Sequence, residues 1–154
     1  MLQRLLAATV GDLDLRTAVM VTPNTPIEDV IEALREVHRG AALVEDGDGT
    51  LLGIITERDV LLKLDPSEPD LTAPVSTLMT ENPVTVEVGA SISATLAKMD
   101  EGLFRHMPVV DEDNQVVSLV SVRDILTWVS LHYPEAVQNL PPEPYRGPAR
   151  RWGG

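Results

Sequence analysis

The sequence contains no cysteine. Disulfides, thiolate metal sites and cysteine nucleophiles are thereby excluded. Aromatic residues make up only 3% of the chain, so its core must be built from Val, Leu, Ile, Ala and Met. Positive charge is scarce too: 12 Lys and Arg stand against 24 Asp and Glu, a net charge of −12. Such a chain repels polyanions, which argues against nucleic acid and anionic membranes as partners. A small anion held at a local basic spot is compatible with it. No apolar run approaches the roughly 20 residues of a spanning helix. The opening eight residues are too short and too polar for a signal peptide, so a cytoplasmic location is expected. Glycine-rich phosphate loops ending in Lys-Ser/Thr, His-Glu-x-x-His and G-x-S-x-G are all missing, and His38, His106 and His132 are scattered. No enzymatic role is expected.

What is there reads as ordered punctuation. The 154 residues suffice for one ordinary domain or two very small ones. Residues 1–15 form an arm whose Leu2, Leu5 and Leu6 share a helical face and dock it. Val19–Val21 is a short strand. Thr25-Pro26-Ile27-Glu28 carries helix-start chemistry, with Thr25 as N-cap, Pro26 in the first helical position and Glu28 closing a capping box. Ile27, Val30, Ile31, Leu34 and Val37 make an amphipathic stripe that ends near His38-Arg39-Gly40. Ala41–Val44 is a strand, Asp46-Gly47-Asp48-Gly49 a hairpin turn, and Leu51–Ile55 the returning strand. The turn lacks the later glutamate of a calcium loop. Thr56 opens a helix with Val60, Leu61 and Leu64 facing inward.

Residues 65–80, with Pro66, Pro69 and Pro74, read as a linker in which Val75–Met79 makes one helical turn. The pattern then returns. Val84–Val88 is a strand, and Ile92, Thr95, Leu96 and Met99 line a helix. Met107–Val110 and Val116–Val120 flank the turn Asp111–Asn114, and Ser121 opens a helix bearing Ile125, Leu126 and Val129. A shift of 65 residues lays 16–64 on 81–129 without a gap and with ten identities. Each unit (16–64 and 81–131) is strand–helix–strand–strand–helix, too small to bury a comfortable core alone. The prediction is an α+β module of two units packed with pseudo-twofold symmetry. Residues 132–154 hold five prolines and Arg146, Arg150 and Arg151, and read as an extended tail.

Each unit closes on one motif, GIITERD (53–59) in the first and SLVSVRD (118–124) in the second. With TPIEDVIEAL, LMTENPVTV and RHMPVVDEDNQVV around them, the chain resembles the CBS domain pair, or Bateman module, over residues 13–131. The resemblance implies that adenosine nucleotides (AMP, ADP or ATP) bind in clefts between the units, with S-adenosylmethionine as an alternative ligand. It implies no tightly bound cofactor, a homodimer, and regulation of an unidentified protein partner. It also implies that Asp59 and Asp124 hold ribose hydroxyls while Thr56 and Ser121 contact phosphate.

The residues themselves leave two readings open. Thr56 with Asp59, and Ser121 with Asp124, are plain helix caps, or a helix N-terminus prepared for a phosphate. Arg58 and Arg123 are surface arginines or phosphate partners. Ile54 and Leu119 pack on an adenine or belong to the core. On the family pattern, Arg105 and His106, beside Met107, serve the cleft closed by Thr56 and Asp59. The opposite cleft combines Thr25, Gly40, Ala41 and Ala42 with Ser121, Arg123 and Asp124. Ser118 stands where the motif has glycine, a residue that lets backbone and ligand approach closely. The first copy is therefore expected to be the better site. A ligand-free dimerisation or protein-interaction module is the competing function.

Overall fold

The structure, a computed structural model, describes residues 2–135. The proline-rich tail beyond Glu135 and the side chains of Leu2 and Leu5 lie outside the described residues. Helix α1 (Leu2–Ala7) and one 3-10 turn lead into β1 (Val19–Val21), α2 (Ile27–Glu36), β2 (Ala41–Glu45), β3 (Leu51–Thr56) and α3 (Glu57–Lys63). A second 3-10 turn (Val75–Thr77) and β4 (Thr80–Glu81) follow. The chain then runs through β5 (Val86–Glu87), α4 (Ile92–Gly102), β6 (His106–Val110), β7 (Val116–Ser121) and α5 (Val122–His132).

Two sheets form, β1-β2-β3-β4 and β5-β6-β7. In each, a parallel pair joined by a crossover helix is followed by an antiparallel hairpin. The 65-residue shift holds at the level of single partners. Val21 faces Val44 as Val86 faces Val109, and Ala41 faces Thr56 as His106 faces Ser121. Both hairpins shift register at the same place, Val44/Glu45 and Val109/Val110. The first turn holds Asp46 in a fixed role: its Oδ1 accepts the Asp48 and Thr50 amides at 2.9 Å each. These bonds hold its carboxyl below the ordinary carboxylate range.

The central strands are buried on both faces. Ala42 and Val44 pack with Ile27, Val30 and Leu34 of α2, while Met107 and Val109 pack with Ile92, Met99 and Ile125. The opposite faces meet: Ala41, Leu43 and Ile54 of the first unit form one cluster with Leu119 of the second. Ile54 and Leu119 are repeat equivalents, so the pseudo-twofold passes through this shared core.

The segment preceding each unit is exchanged between them. Carried back to residue 8, the same shift pairs Ala8 with Ala73, Val10 with Val75 and Leu13 with Leu78. Residues 73–81 pack on the first unit. Val75 donates its amide to the Thr25 carbonyl (2.8 Å), and β4 pairs with β3. Residues 8–13 pack on the second unit, with the Val10 amide donating to Ala90 (2.9 Å) and the Ile92 amide to Ala8 (3.0 Å).

This exchange corrects several sequence expectations. The arm is held by Ala8, Val10 and Leu13, which are buried, while Leu6 of the expected leucine face is exposed and the side chains of Leu2 and Leu5 lie outside the described residues. Thr25 does not cap α2. Pro26 is the N-cap and no side chain closes a box, because the Ala73 and Leu71 carbonyls accept the Ile27 and Glu28 amides at 3.0 Å. The helix start is thus satisfied from the segment read as linker. The strand expected at 84–88 shortens to Val86–Glu87, with Val84 and Val88 exposed. Leu61 and Leu126 point outward, 81% and 59% exposed. No helix among the described residues is long and apolar enough to cross a membrane.

Candidate functional site

Each hairpin's last residue is the N-cap of the helix that follows. Thr56 lies extended before α3, and Ser121 before α5. Each hydroxyl accepts the amide of the aspartate three residues on, at 3.1 and 3.2 Å. In return the aspartate Oδ2 accepts the amide and hydroxyl of the cap residue, at 2.8–2.9 Å in the first copy and 2.6–2.8 Å in the second. Local chemistry is therefore the same in the two halves: a reciprocal capping box at a helix N-terminus.

Their surroundings differ. Asp59 Oδ1 is paired with Lys63 at 2.8 Å, and the same ammonium donates to the Leu78 carbonyl at 2.8 Å. Both oxygens of Asp59 are thus engaged. The position equivalent to Lys63 is Trp128, and Asp124 Oδ1 has no hydrogen bond or ion pair among the described residues. Arg58 reaches across to the other unit and places its Nη1 at 3.5 Å from the Leu103 carbonyl.

The Asp124 side opens on a cleft of about 1130 Å³ between the two units. That volume is enough for a nucleotide-sized molecule. Ser121, Val122, Arg123 and Asp124 form one wall, and Leu119 and Leu126 line it with apolar surface. Facing them are the C-terminal end of α2 and the start of β2, with Arg35, His38, Arg39, Gly40 and Ala41. Arg16 enters from the exchanged leading segment, Glu57 from α3, and Arg105 and His106 from the start of β6.

Charge is concentrated here. Five of the chain's twelve lysines and arginines line this one cleft: Arg16, Arg35, Arg39, Arg105 and Arg123. Four carboxylates oppose them, those of Glu32, Glu36, Glu57 and Asp124. In a chain of net charge −12, the cleft lining thus carries one more arginine than carboxylates, which makes it less repulsive to an anion than the chain as a whole.

His106 sits where the units touch. A methyl group added to Gly40 would lie 3.4 Å from the His106 ring and from Glu57 Oε2, an ordinary contact distance, which puts the histidine directly beside the first unit. Burial pulls the imidazole below the usual histidine range. Asp124 and Glu57 oppose that shift, and Arg39 and Arg105 reinforce it.

These placements rearrange the expected sites. Arg105 and His106 share their cleft with Ser121, Arg123 and Asp124, not with Thr56 and Asp59. The antiparallel register is the reason: His106 and Ser121 are direct cross-strand partners. Ala41 and Leu119 do line the cleft. Ala42 and Met107 are turned into the cores of their own units, and Ile54 into the core between them. Thr25 holds the exchanged segment through its carbonyl, while its hydroxyl accepts the Thr22 amide at 3.1 Å. Gly53 is required by its own chain. A Cβ there would lie 2.8 Å from Met79 Sδ and 2.9 Å from the Thr80 carbonyl. Its counterpart Ser118 is no defect in the site, since its hydroxyl donates to the Arg16 carbonyl at 2.8 Å and so ties down a residue that lines the cleft. Arg16, Arg35, Arg39 and Glu57 were not singled out from sequence. Their only signal was positive charge in an acidic chain, or adjacency to Gly40 and Thr56.

Comparison with known proteins fits this architecture. The family model of the CBS domain matches twice, at residues 10–65 and 75–131. The CBS domain-containing protein CBSCBSPB5 of Arabidopsis thaliana is 34% identical over 119 residues, which is 77% of this chain but 22% of that protein. The chain thus spans about a fifth of that relative's length. Among solved structures, the CBS domain pair of protein MJ0100, in complex with 5′-methylthioadenosine and S-adenosyl-L-methionine, aligns with a TM-score of 0.73 at 23% identity, covering 82% of this chain and 98% of that one. CBSX2 in complex with AMP aligns with a TM-score of 0.70 at 24% identity, covering 81% and 97%. The two matched segments are the two halves related by the 65-residue shift, each with its exchanged leading segment, and the chain belongs to the CBS domain family as a tandem pair.

Proposed function

We propose that the chain is a regulatory module that binds an adenosine nucleotide in the cleft between its units, with the Asp124 side as the occupied site. One observation carries the reading: the α5 N-terminus, with the unpaired Asp124 Oδ1, opens into the cleft that gathers five of the chain's arginines. Of the first-turn amides of α5, that of Val122 donates to the Arg105 carbonyl (3.0 Å) and that of Asp124 to the Ser121 hydroxyl (3.2 Å), so among the described residues the Arg123 amide is the one left for an anion, where the helix dipole also favours it. The Ser121 hydroxyl donates to Asp124 Oδ2 in the free protein (2.6 Å) and turns from it to meet the same phosphate. Asp124 Oδ1 accepts ribose hydroxyls, and Leu119 and Ala41 supply an apolar floor for a base. That relatives of this fold are solved with AMP and with S-adenosylmethionine supports the ligand class. A ligand that bridges the units prefers the arrangement in which they are closed, which is what a switch requires.

Titration calorimetry with AMP, ATP and S-adenosylmethionine tests the proposal. Binding with one ligand per chain supports it, and the absence of heat and of a thermal shift at millimolar ligand defeats it.

Binding is expected to depend on pH through His106. In the free protein burial keeps the imidazole neutral, with its pKa below the ordinary 6.5. A neighbouring phosphate favours the imidazolium, so the complex takes up a proton and affinity rises as the pH falls from about 8 to about 6. The ligand's own terminal phosphate loses charge near about pH 6 and acts in the opposite direction. His106→Gln isolates the imidazole: calorimetry across this range should give the variant weaker affinity gain toward low pH than the native chain. Equal profiles would remove His106 from the site.

The exposed Leu61 and Leu126, with Leu62 and Leu131 beside them, also fit a homodimer interface on α3 and α5. That assembly is compatible with the nucleotide reading, and it is the whole function in the competing reading of a ligand-free interaction module. Light scattering of Leu61→Glu and Leu131→Glu, neither of which lines the cleft, measures it. An unchanged mass would place any interface elsewhere.

A further inference from the structure

We infer that Arg39 is a second phosphate anchor, which makes the cleft selective for a nucleoside di- or triphosphate over the monophosphate. The inference rests on the cleft being a nucleotide site. Arg39 is set at the end of α2 by a left-handed turn. His38 has φ +53°, the His38 amide donates to the Arg35 carbonyl (3.3 Å), and the Arg39 amide donates to Leu34 (2.9 Å). This double bond pattern fixes the direction in which the chain leaves the helix. It brings Arg39 into the cleft, immediately before the Gly40–His106 contact.

The guanidinium is unfinished there. Its Nη2 is buried with no hydrogen-bond partner among the described residues. Glu32, Glu36 and Glu57 line the same cleft, yet the one ion pair among the described residues is Lys63–Asp59. A buried guanidinium N–H without an acceptor is unfavourable in the free protein, and a phosphate oxygen is an acceptor that suits a guanidinium well.

The number of cations points the same way. The α5 N-terminus and Arg123 lie on one wall of the cleft. Arg39 and Arg105 line the opposite part of the same cleft, together with His106. A monophosphate leaves this group unmatched, whereas a longer phosphate chain reaches it. The repeat adds a further point: the residue equivalent to Arg39 is Phe104. The second half of this chain therefore has no counterpart of this anchor.

The test is calorimetry in magnesium-free buffer with AMP, ADP and ATP, on the native chain, Arg39→Gln and Arg39→Met. The native chain is expected to bind ATP at least about tenfold more tightly than AMP. Both variants should lose about tenfold for ATP and stay within about twofold for AMP, on the scale of one charge-assisted contact. Thermal melting of the free proteins is the independent readout. Removing a buried donor that has no acceptor should leave Arg39→Met as stable as the native chain or more so. AMP binding as tightly as ATP, or variants that weaken both ligands equally, would overturn the inference while leaving the nucleotide site standing. Binding of none of the three overturns both.

Discussion

Asp124→Ala is expected to weaken nucleotide binding about 100-fold, whereas Asp59→Ala leaves affinity nearly unchanged. The two aspartates share their motif position and their capping geometry, so the motif alone predicts equal effects. The difference lies in the second carboxylate oxygen. In Asp59 it is held by Lys63 at 2.8 Å, and in Asp124 it has no partner among the described residues and lines the cleft. Two hydrogen bonds from ribose hydroxyls to a carboxylate are together worth about 3 kcal/mol, which is the 100-fold. Stability should show a different ordering. Both variants lose a capping box at a cost of about 1 kcal/mol, and Asp59→Ala also loses its partly buried pair with Lys63. Calorimetry and urea denaturation on the same two proteins separate the roles. Asp124→Asn keeps an oxygen for the Ser121 amide and should recover most of the stability but not the affinity. Equal binding losses in Asp59→Ala and Asp124→Ala would mean that both clefts are used.

Gly53→Val should be the most destabilising single change in the motif, costing about 3 kcal/mol. The added Cβ meets Met79 Sδ at 2.8 Å and the Thr80 carbonyl at 2.9 Å. The methionine end can swing away. The carbonyl cannot, because Thr80 and Glu81 are paired with Ile54 and Gly53 in the first sheet. The fourth strand must detach or the sheet must shift, and either move opens the core over Val75 and Leu78. A denaturant midpoint close to that of the native chain would contradict the argument. The second half carries a serine at this position because it has no fourth strand among the described residues. The leading segment approaches there through the Ser118 hydroxyl bond to Arg16.

The repeat made most of the fold legible. Helix and strand positions of the second unit follow from the first by one shift, down to the register break in each hairpin. The exchange of leading segments was less visible. Ala8, Val10 and Leu13 do echo Ala73, Val75 and Leu78, but proline and polar residues around them imitate a linker. Which surface such a segment covers depends on backbone bonds to Thr25 and Ala90, and a carbonyl partner leaves no trace in residue type. The same limit explains Thr25, whose capping chemistry was right for a cap but was displaced by the Ala73 and Leu71 carbonyls.

At the site, the sequence identified the motif residues but misjudged their grouping. His106 belongs with Ser121 because adjacent antiparallel strands put them opposite each other. The glycine of GIITERD suggested room for a ligand, yet the close neighbour is Thr80 of the chain itself. Lys63 looked like an ordinary helix residue. Its pairing with Asp59, and its replacement by Trp128 in the second half, is what separates one copy from the other. Arg39 was hidden by its position at a helix end beside a glycine, where a basic residue needs no special role.

The central claim is that a nucleotide occupies the Asp124 side of the module. A crystal structure of the chain grown with ATP tests it most directly. The expected density places the ribose on Asp124, the first phosphate at Ser121 and the α5 N-terminus, and the outer phosphates at Arg39. A nucleotide resting instead on Thr56 and Asp59, with the Lys63 pair broken, would contradict the account, as would an empty cleft at saturating ligand.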